Sequence, residues 1–465
     1  MSTGATSWGP REVPTTALLT DHYELTMLRA ALEAGTANRR CVFELFARRL
    51  PPGRRYGVVA GVGRALRALN QFRFDEESLR FLQEADVVDT ATADWLAGFR
   101  FDGDIWGYPE GEIYFPGSPI VVVESSFAAG VMLETVLLSI YNHDAAIASA
   151  ASRMTLMAGS RPCIEMGSRR TQELAAVAAA RAAYIAGFEA TSNLEAGRRY
   201  GVPTRGTSAH SFTLLHPTER EAFAAQIAAL GEDTTLLVDT YDVEAAVRTG
   251  VELTGGRLGA VRLDSGDLAL RATQVRELLD SLGATTTRII VTSDLDEYTI
   301  AALSGAPVDG YGVGTSLVTG SGHPTCGFVY KLVARAGSND PGAPLEPVAK
   351  KSTDKISVGG RKYAVRQLSP DGVAEAELIG VGAVSRHDSD DRELLVPLVR
   401  GGEVIGDEPL SAARERHVRS RAELPMEASK MSRGEPVLET VYAGAGIPDG
   451  NPFAARLGAV ARADA

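Results

Sequence analysis

The sequence predicts an α/β fold built around a parallel sheet. Short apolar runs recur at intervals of roughly 20–30 residues, at 234–239 (TTLLVD), 259–264 (GAVRLD), 288–292 (RIIVT) and 308–313 (VDGYGV). Helical segments fall between them, which is the pattern of βαβ units and hence of parallel strands. Each run ends in a polar or glycine-rich tip, as where strand ends carry a site. This rhythm fits a closed β/α barrel and an open doubly wound sheet equally well.

The flanking segments read differently. Residues 18–34 have helical spacing, with Leu19, Tyr23, Met27, Leu28 and Leu32 on one face. Residues 40–46 (RCVFELF) alternate like a strand, and 113–115 form another before Pro116 and Gly117. Residues 126–151 read as a buried helix. Residues 171–190 read as an alanine-rich helix, alanine being the best helix former. Near Ala334 the chain turns loop-like, rich in Gly, Pro, Asp and Ser. Short strands are expected at 362–365, 373–378 and 394–405, so residues from about 350 on belong to a second domain, with 444–465 a surface tail.

Composition excludes several classes. The 465 residues suffice for two or three domains with a large core. A net charge of -12 argues against a nucleic-acid footprint, though not against a local basic pocket for a phosphorylated ligand. Cys41, Cys163 and Cys326 are few and far apart, so neither a disulfide framework nor a cysteine zinc site is expected, and a reducing cytoplasm fits. The N-terminus lacks a basic region followed by an apolar core, so no secretory signal is expected. Charged residues interrupt the most apolar stretches, 119–141 and 174–190, so no membrane span or membrane partner is expected.

Basic residues are nearly all arginine, and the lysines are Lys331, Lys350, Lys351, Lys355, Lys362 and Lys430. An ammonium suits a flexible polyphosphate. Lys350, Lys351 and Lys355 are therefore expected to include a phosphate contact.

The chemistry concentrates in short turns. Residues 262–267 (RLDSGD) and 312–316 (GVGTS) each follow a strand. Glycines let backbone N–H groups converge on an oxyanion, and Ser and Thr add donors. Ser293 and Asp294 close the strand between them, which makes a composite phosphate site. Asp264 and Asp267 suit a ribose diol or a hydrated magnesium ion. Arg169 and Arg170, in GSRR, offer planar forks for a carboxylate or phosphate. His210, in GTSAHSF, sits among small residues that leave its imidazole accessible, and His22 beside Asp21 is a rival. No second histidine stands at metal-ligand spacing, so a zinc centre is not expected and no metal ligand is assigned. Asp239, at a strand end, is a candidate to orient His210.

Together these stretches resemble the nicotinate phosphoribosyltransferase family. The matching pieces are LLTDHYELTML (18–28), FELFARRLP (43–51), EMGSRRTQ (165–172), GTSAHSF (206–212), LVDTYD (237–242), VRLDSGDL (261–268) and GVGTSLVTG (312–320). They run in family order over roughly 18–335 and become looser beyond about 350.

The resemblance implies a type II phosphoribosyltransferase: an irregular β/α barrel with a smaller α+β domain built from both chain ends. It divides the chain into 1–120, the N-terminal part of the smaller domain; 121–345, the barrel; and 346–465, the rest of the smaller domain and the tail. It implies condensation of nicotinate with phosphoribosyl pyrophosphate to nicotinate mononucleotide and pyrophosphate, a salvage step to NAD in the cytoplasm. ATP would be a co-substrate, coupled through a phosphohistidine at His210 paired with Asp239, and Mg2+ the cofactor. Tyr23 and Arg169 would hold the pyridine, with Tyr23 supplied by the partner in a homodimer whose site lies at the interface. Arg262, Asp264 and Gly266 would meet the ring carboxylate or ribose, and Gly312, Gly314 and Thr315 the phosphate, with Ser293 beside them.

Two positions depart from the similar nicotinamide enzyme. Met166 replaces an aromatic ring against the pyridine, and a thioether can pack on an aromatic face. Ser192 replaces an aspartate, exchanging a group that accepts from an amide for one that can donate to a carboxylate. That favours nicotinate over the alternative, a nicotinamide phosphoribosyltransferase. A phosphate-binding barrel lyase would want a Schiff-base lysine at a strand end, and no lysine precedes Lys331.

Overall fold

The computed structural model describes residues 15–350, 358–383 and 391–443. The predicted parallel strands form a six-stranded sheet in the order Ala190–Thr191, Cys163–Glu165, Gly310–Val313, Arg288–Val291, Ala260–Leu263 and Thr235–Leu237. Every pairing in it is parallel. The ladder is open, a half-barrel whose two edge strands do not pair with each other among the described residues.

The helices that follow these strands start where the sequence supplies caps. Gln172, Asn193, Asp242, Asp267 and Asp296 each accept an amide three residues on, opening the helices Glu173–Ile185, Leu194–Tyr200, Val243–Leu253, Leu268–Ser281 and Glu297–Ala302. Such side chains satisfy one of the orphan N–H groups of the first turn. Apolar faces of these helices pack on the sheet in one continuous cluster that includes Val247, Val275, Val261 and Ile289.

The alanine-rich helix is shorter than the 171–190 expected, because Gly187, at φ +106, turns the chain into the next strand. The buried helix read at 126–151 is also corrected. Ser126 ends strand Val121–Ser126 and caps a short helix, Phe127–Val131, and a second helix runs Glu134–Ala158. Within the first, Gly130 lets the helix approach strand Arg40–Ala47: a Cβ there would lie 2.4 Å from the Phe43 ring. Helix Glu134–Ala158 is buried along most of its length and packs against Glu173–Ile185.

A second, seven-stranded sheet joins distant parts of the chain in the order Leu345–Pro347, Phe328–Ala336, Arg40–Ala47, Val121–Ser126, Asp104–Gly107, Val396–Arg400 and Glu403–Val404. Val121–Ser126 and Phe328–Ala336, which sequence reading groups with segment 121–345, pair on either side of Arg40–Ala47. A four-stranded sheet, Arg392–Glu393, Lys362–Leu368, Ala374–Val381 and Glu439–Ala443, carries the C-terminal region.

An ion pair ties these sheets together. Lys362 Nζ lies 2.5 Å from Glu44 Oε2, with side chains only 1% and 2% exposed. Burial pushes the Glu44 carboxyl up, and the Lys362 ammonium offsets part of that. One of the scarce lysines is thus a structural cation. Lys351, Lys355 and the tail 444–465 lie outside the described residues, and Lys350 is in an exposed loop.

Candidate active site

The C-terminal ends of the parallel strands surround a cavity of about 530 Å³. In open parallel sheets and in closed β/α barrels alike, ligands bind at the carboxyl ends of the strands. Twelve residues singled out from sequence line it: Met166, Arg169, Arg170, Ser192, His210, Arg262, Asp264, Ser293, Asp294, Gly312, Gly314 and Thr315. Arg205 shares the wall.

His210 opens helix His210–Leu215, and its side chain is 43% exposed. Its Nε2 lies 3.9 Å from Asp239 Oδ1, and its Nδ1 lies 3.0 Å from the Thr240 hydroxyl. Asp239 itself sits beneath the wall, 4% exposed. Its Oδ2 accepts from the Asp264 N–H at 2.9 Å and the Ser265 hydroxyl at 2.6 Å. Its Oδ1 is buried with no hydrogen-bond partner, on the side that faces His210. Asp239 therefore joins the histidine to the RLDSGD turn.

That turn is braced from the next strand. Arg262 Nε donates to Thr292 Oγ1 at 2.9 Å, and the Thr292 hydroxyl donates to Asp264 Oδ1. Arg262 also donates to Thr207 Oγ1 at 2.9 Å, reaching the histidine loop. Thr292 escapes sequence analysis because it closes the apolar run RIIVT and reads as strand. Gly266, at φ +83, shapes the turn behind Asp264 and stays off the cavity wall.

Asp267 has a different task from the one its sequence suggests. Its Oδ1 accepts from the Leu270 N–H as a helix cap, and it does not line the cavity. Asp267→Ala is expected to cost about 1 kcal/mol of stability, the usual worth of such a cap, with activity retained. A urea midpoint that falls together with turnover would contradict this.

The phosphate-type turns are built by close approach. A Cβ at Gly312 would lie 2.5 Å from Thr292 Cγ2 and 2.7 Å from Met166 Sδ, so only glycine fits. Ser293 sits at φ +112, a conformation L-residues rarely adopt and one that concentrates at functional sites.

Glu165 is the second residue that sequence analysis missed as a participant. It is fully buried under the EMGSR turn, and burial pushes its carboxyl up. Tyr23 lies elsewhere, on helix His22–Glu33 beside Glu134 and Thr135, and is 45% exposed. Burial first, then the Glu134 carboxylate, push its phenol up to about 12. His22, the rival histidine, does not line the cavity.

Among the described residues no helix is long and apolar enough to cross a membrane. No group of three or more His, Cys, Asp or Glu there could hold a metal.

A family model for the nicotinate phosphoribosyltransferase (NAPRTase) N-terminal domain matches residues 18–142. Nicotinate phosphoribosyltransferase of Bacillus subtilis is 38% identical over 364 residues, 76% of this chain and 73% of its own. The crystal structure of human nicotinic acid phosphoribosyltransferase superposes with a TM-score of 0.78 at 26% identity, covering 92% of this chain and 98% of the human one. Nicotinate phosphoribosyltransferase pncB1 of Mycobacterium tuberculosis H37Rv is 57% identical over 436 residues, 91% of this chain and 94% of the mycobacterial one. With likeness of that depth over nearly its whole length, and with the family's motifs gathered on one cavity, the chain belongs to the nicotinate phosphoribosyltransferase family.

Proposed function

We propose that this enzyme condenses nicotinate with phosphoribosyl pyrophosphate, giving nicotinate mononucleotide and pyrophosphate, and couples that step to ATP through His210. The observation that carries the reading is the convergence of Arg169 and Ser192, suited to a carboxylate, with the Ser293 and Gly312–Thr315 turns, suited to phosphate, around one histidine.

In the transfer step the bond from ribose C1 to pyrophosphate oxygen breaks, and the pyridine nitrogen lone pair forms the new bond to C1. The protein's part is positioning and charge stabilisation. Arg262, held by Thr292 and Thr207, is fixed where an anionic group can meet it. Asp264 Oδ1 is already paired with Arg262 at 3.3 Å, so Asp294 on the same wall, with the other Asp264 oxygen, would hold Mg2+ in its usual manner, one or two carboxylates plus substrate phosphates. Held there, the ion would supply positive charge against the leaving pyrophosphate.

For ATP coupling, Asp239 behind Nε2 favours the tautomer protonated on that nitrogen. The Nδ1 lone pair then accepts from the Thr240 hydroxyl at 3.0 Å. Once that hydroxyl turns away, Nδ1 attacks the γ-phosphorus, and the bond to the ADP oxygen breaks. The phosphorylated histidine shifts affinities for ribose donor and product.

A homodimer with the site at its interface completes the reading. Leu18, Leu19 and Tyr23 are 39%, 54% and 45% exposed on one N-terminal segment, an apolar surface that a second copy can cover. Tyr23 would then reach the pyridine from the partner. The three buried free cysteines suit a reducing cytoplasm.

The test is an assay of nicotinate against nicotinamide, with ribose donor, with and without ATP. Nicotinate is expected to be used and ATP to raise its turnover. Preference for nicotinamide would overturn the reading.

A further inference from the structure

Glu165 is a carboxylate out of place. It is fully buried at the end of a parallel strand, directly under the cavity, and no ion pair to it occurs among the described residues. A buried charge without a cation is costly unless hydrogen bonds hold it. Glu165 has two. Oε1 accepts from the Gly167 N–H, and Oε2 accepts from the Thr191 hydroxyl.

These bonds are part of a closed ring between two neighbouring strand ends. Thr191 Oγ1 in turn accepts from the Asn193 N–H at 2.9 Å. Asn193 Nδ2 donates to Ser168 Oγ at 3.0 Å. The Ser192 N–H donates to the Glu165 carbonyl at 2.8 Å. Gly167, Ser168, Thr191 and Asn193 beside Arg169 and Ser192 are therefore engaged, while among the described residues no side-chain partner holds Arg169 or Ser192 themselves. The ring fixes two backbone turns and leaves their two ligand-type side chains free.

We propose that Glu165 is a positioning residue for carboxylate recognition: with Thr191 it locks the Arg169 turn to the Ser192 turn, so that both side chains converge on the pyridine carboxylate. This rests on the nicotinate reading above. Glu165 itself does not touch substrate. Its charge lies behind the turn, where it holds the Gly167 N–H inward. Close packing leaves the turn little freedom, since a Cβ at Gly167 would lie 2.2 Å from Val318 Cγ1.

Two variants test it. Glu165→Gln keeps the volume and exchanges one acceptor for a donor. Thr191→Val keeps the shape and removes the hydroxyl. Each is expected to raise the nicotinate KM about tenfold, the scale of one lost charge-assisted bond, while kcat and the ribose-donor KM stay near wild type. The double variant should be no worse than the worse single one, because both cut the same ring. In the ligand-free protein, amide exchange at Gly167 and Asn193 should quicken in Glu165→Gln, with helix Glu173–Ile185 unchanged.

A purely structural role would move kcat and both KM values together with the melting temperature, and that result overturns the proposal. So does an unchanged nicotinate KM in both variants of an enzyme that uses nicotinate. A wild-type enzyme inert toward nicotinate overturns the functional reading instead.

Discussion

His210→Ala is expected to abolish acid-labile phosphate incorporation from ATP entirely, and to leave slow nucleotide synthesis that ATP no longer accelerates. The first half follows from chemistry. Alanine has no lone pair to attack the γ-phosphorus, and among the described residues no other histidine lines the cavity. The second half follows from the transfer step, in which the pyridine nitrogen is the nucleophile and no protein nucleophile is required. The geometry sharpens the control. Asp239→Asn should also slow phosphorylation, since Oδ1 faces Nε2 at 3.9 Å. Yet Oδ2 holds the Asp264 N–H and the Ser265 hydroxyl, so this variant should disturb the ribose side as well. Thus His210→Ala separates coupling from transfer, and Asp239→Asn does not. Radiolabel retained on the His210→Ala protein after incubation with labelled ATP would place the phosphorylation elsewhere.

The parallel sheet was legible because its signals are local. Each strand is an apolar run with a polar tip, and the four runs from 234 to 313 became Thr235–Leu237, Ala260–Leu263, Arg288–Val291 and Gly310–Val313. The seven-stranded sheet was not legible as a sheet. Its pairings join Arg40–Ala47 to Phe328–Ala336 and Asp104–Gly107 to Val396–Arg400, and nothing in either partner's sequence names the other. Within the site, polar and glycine residues at strand tips stood out, so twelve of the candidates line one cavity.

The supporting residues did not stand out, for physical reasons. Thr292 is β-branched and fits a strand by propensity alone. Glu165 in CIEMG looks like one alternating polar residue, yet it points inward under the turn. A carboxylate in a strand otherwise buried is the signal that could have found it. Asp267 erred the other way. An aspartate before LALRATQV is an N-cap signature, and the cap reading wins over the ligand reading. Lys362 shows the same ambiguity in charge: its rarity marked it, but its partner Glu44 lies on a distant strand.

Ser192→Asp should weaken use of nicotinate by roughly 2–3 kcal/mol, the scale of leaving a buried charge unpaired. That is a fall of roughly 30- to 150-fold in kcat/KM, at about 1.4 kcal/mol per factor of ten. Ser192 faces the cavity from the strand end beside Arg169, and its backbone is fixed by the bond to the Glu165 carbonyl. That bond fixes the direction of the Cα–Cβ vector, so a carboxylate introduced there starts from the cavity wall. It would act twice: it repels the substrate carboxylate, and it competes for the guanidinium of Arg169, which has no other side-chain partner among the described residues. Both effects oppose nicotinate and favour an amide, which can donate to the new acceptor. Nicotinamide use should therefore rise while nicotinate use falls. Ser192→Asn separates charge from size, because it adds similar bulk without the anion and should lose much less. If Ser192→Asp keeps wild-type efficiency for nicotinate, Ser192 does not face the carboxylate, and Arg169 must find its anion elsewhere on the wall.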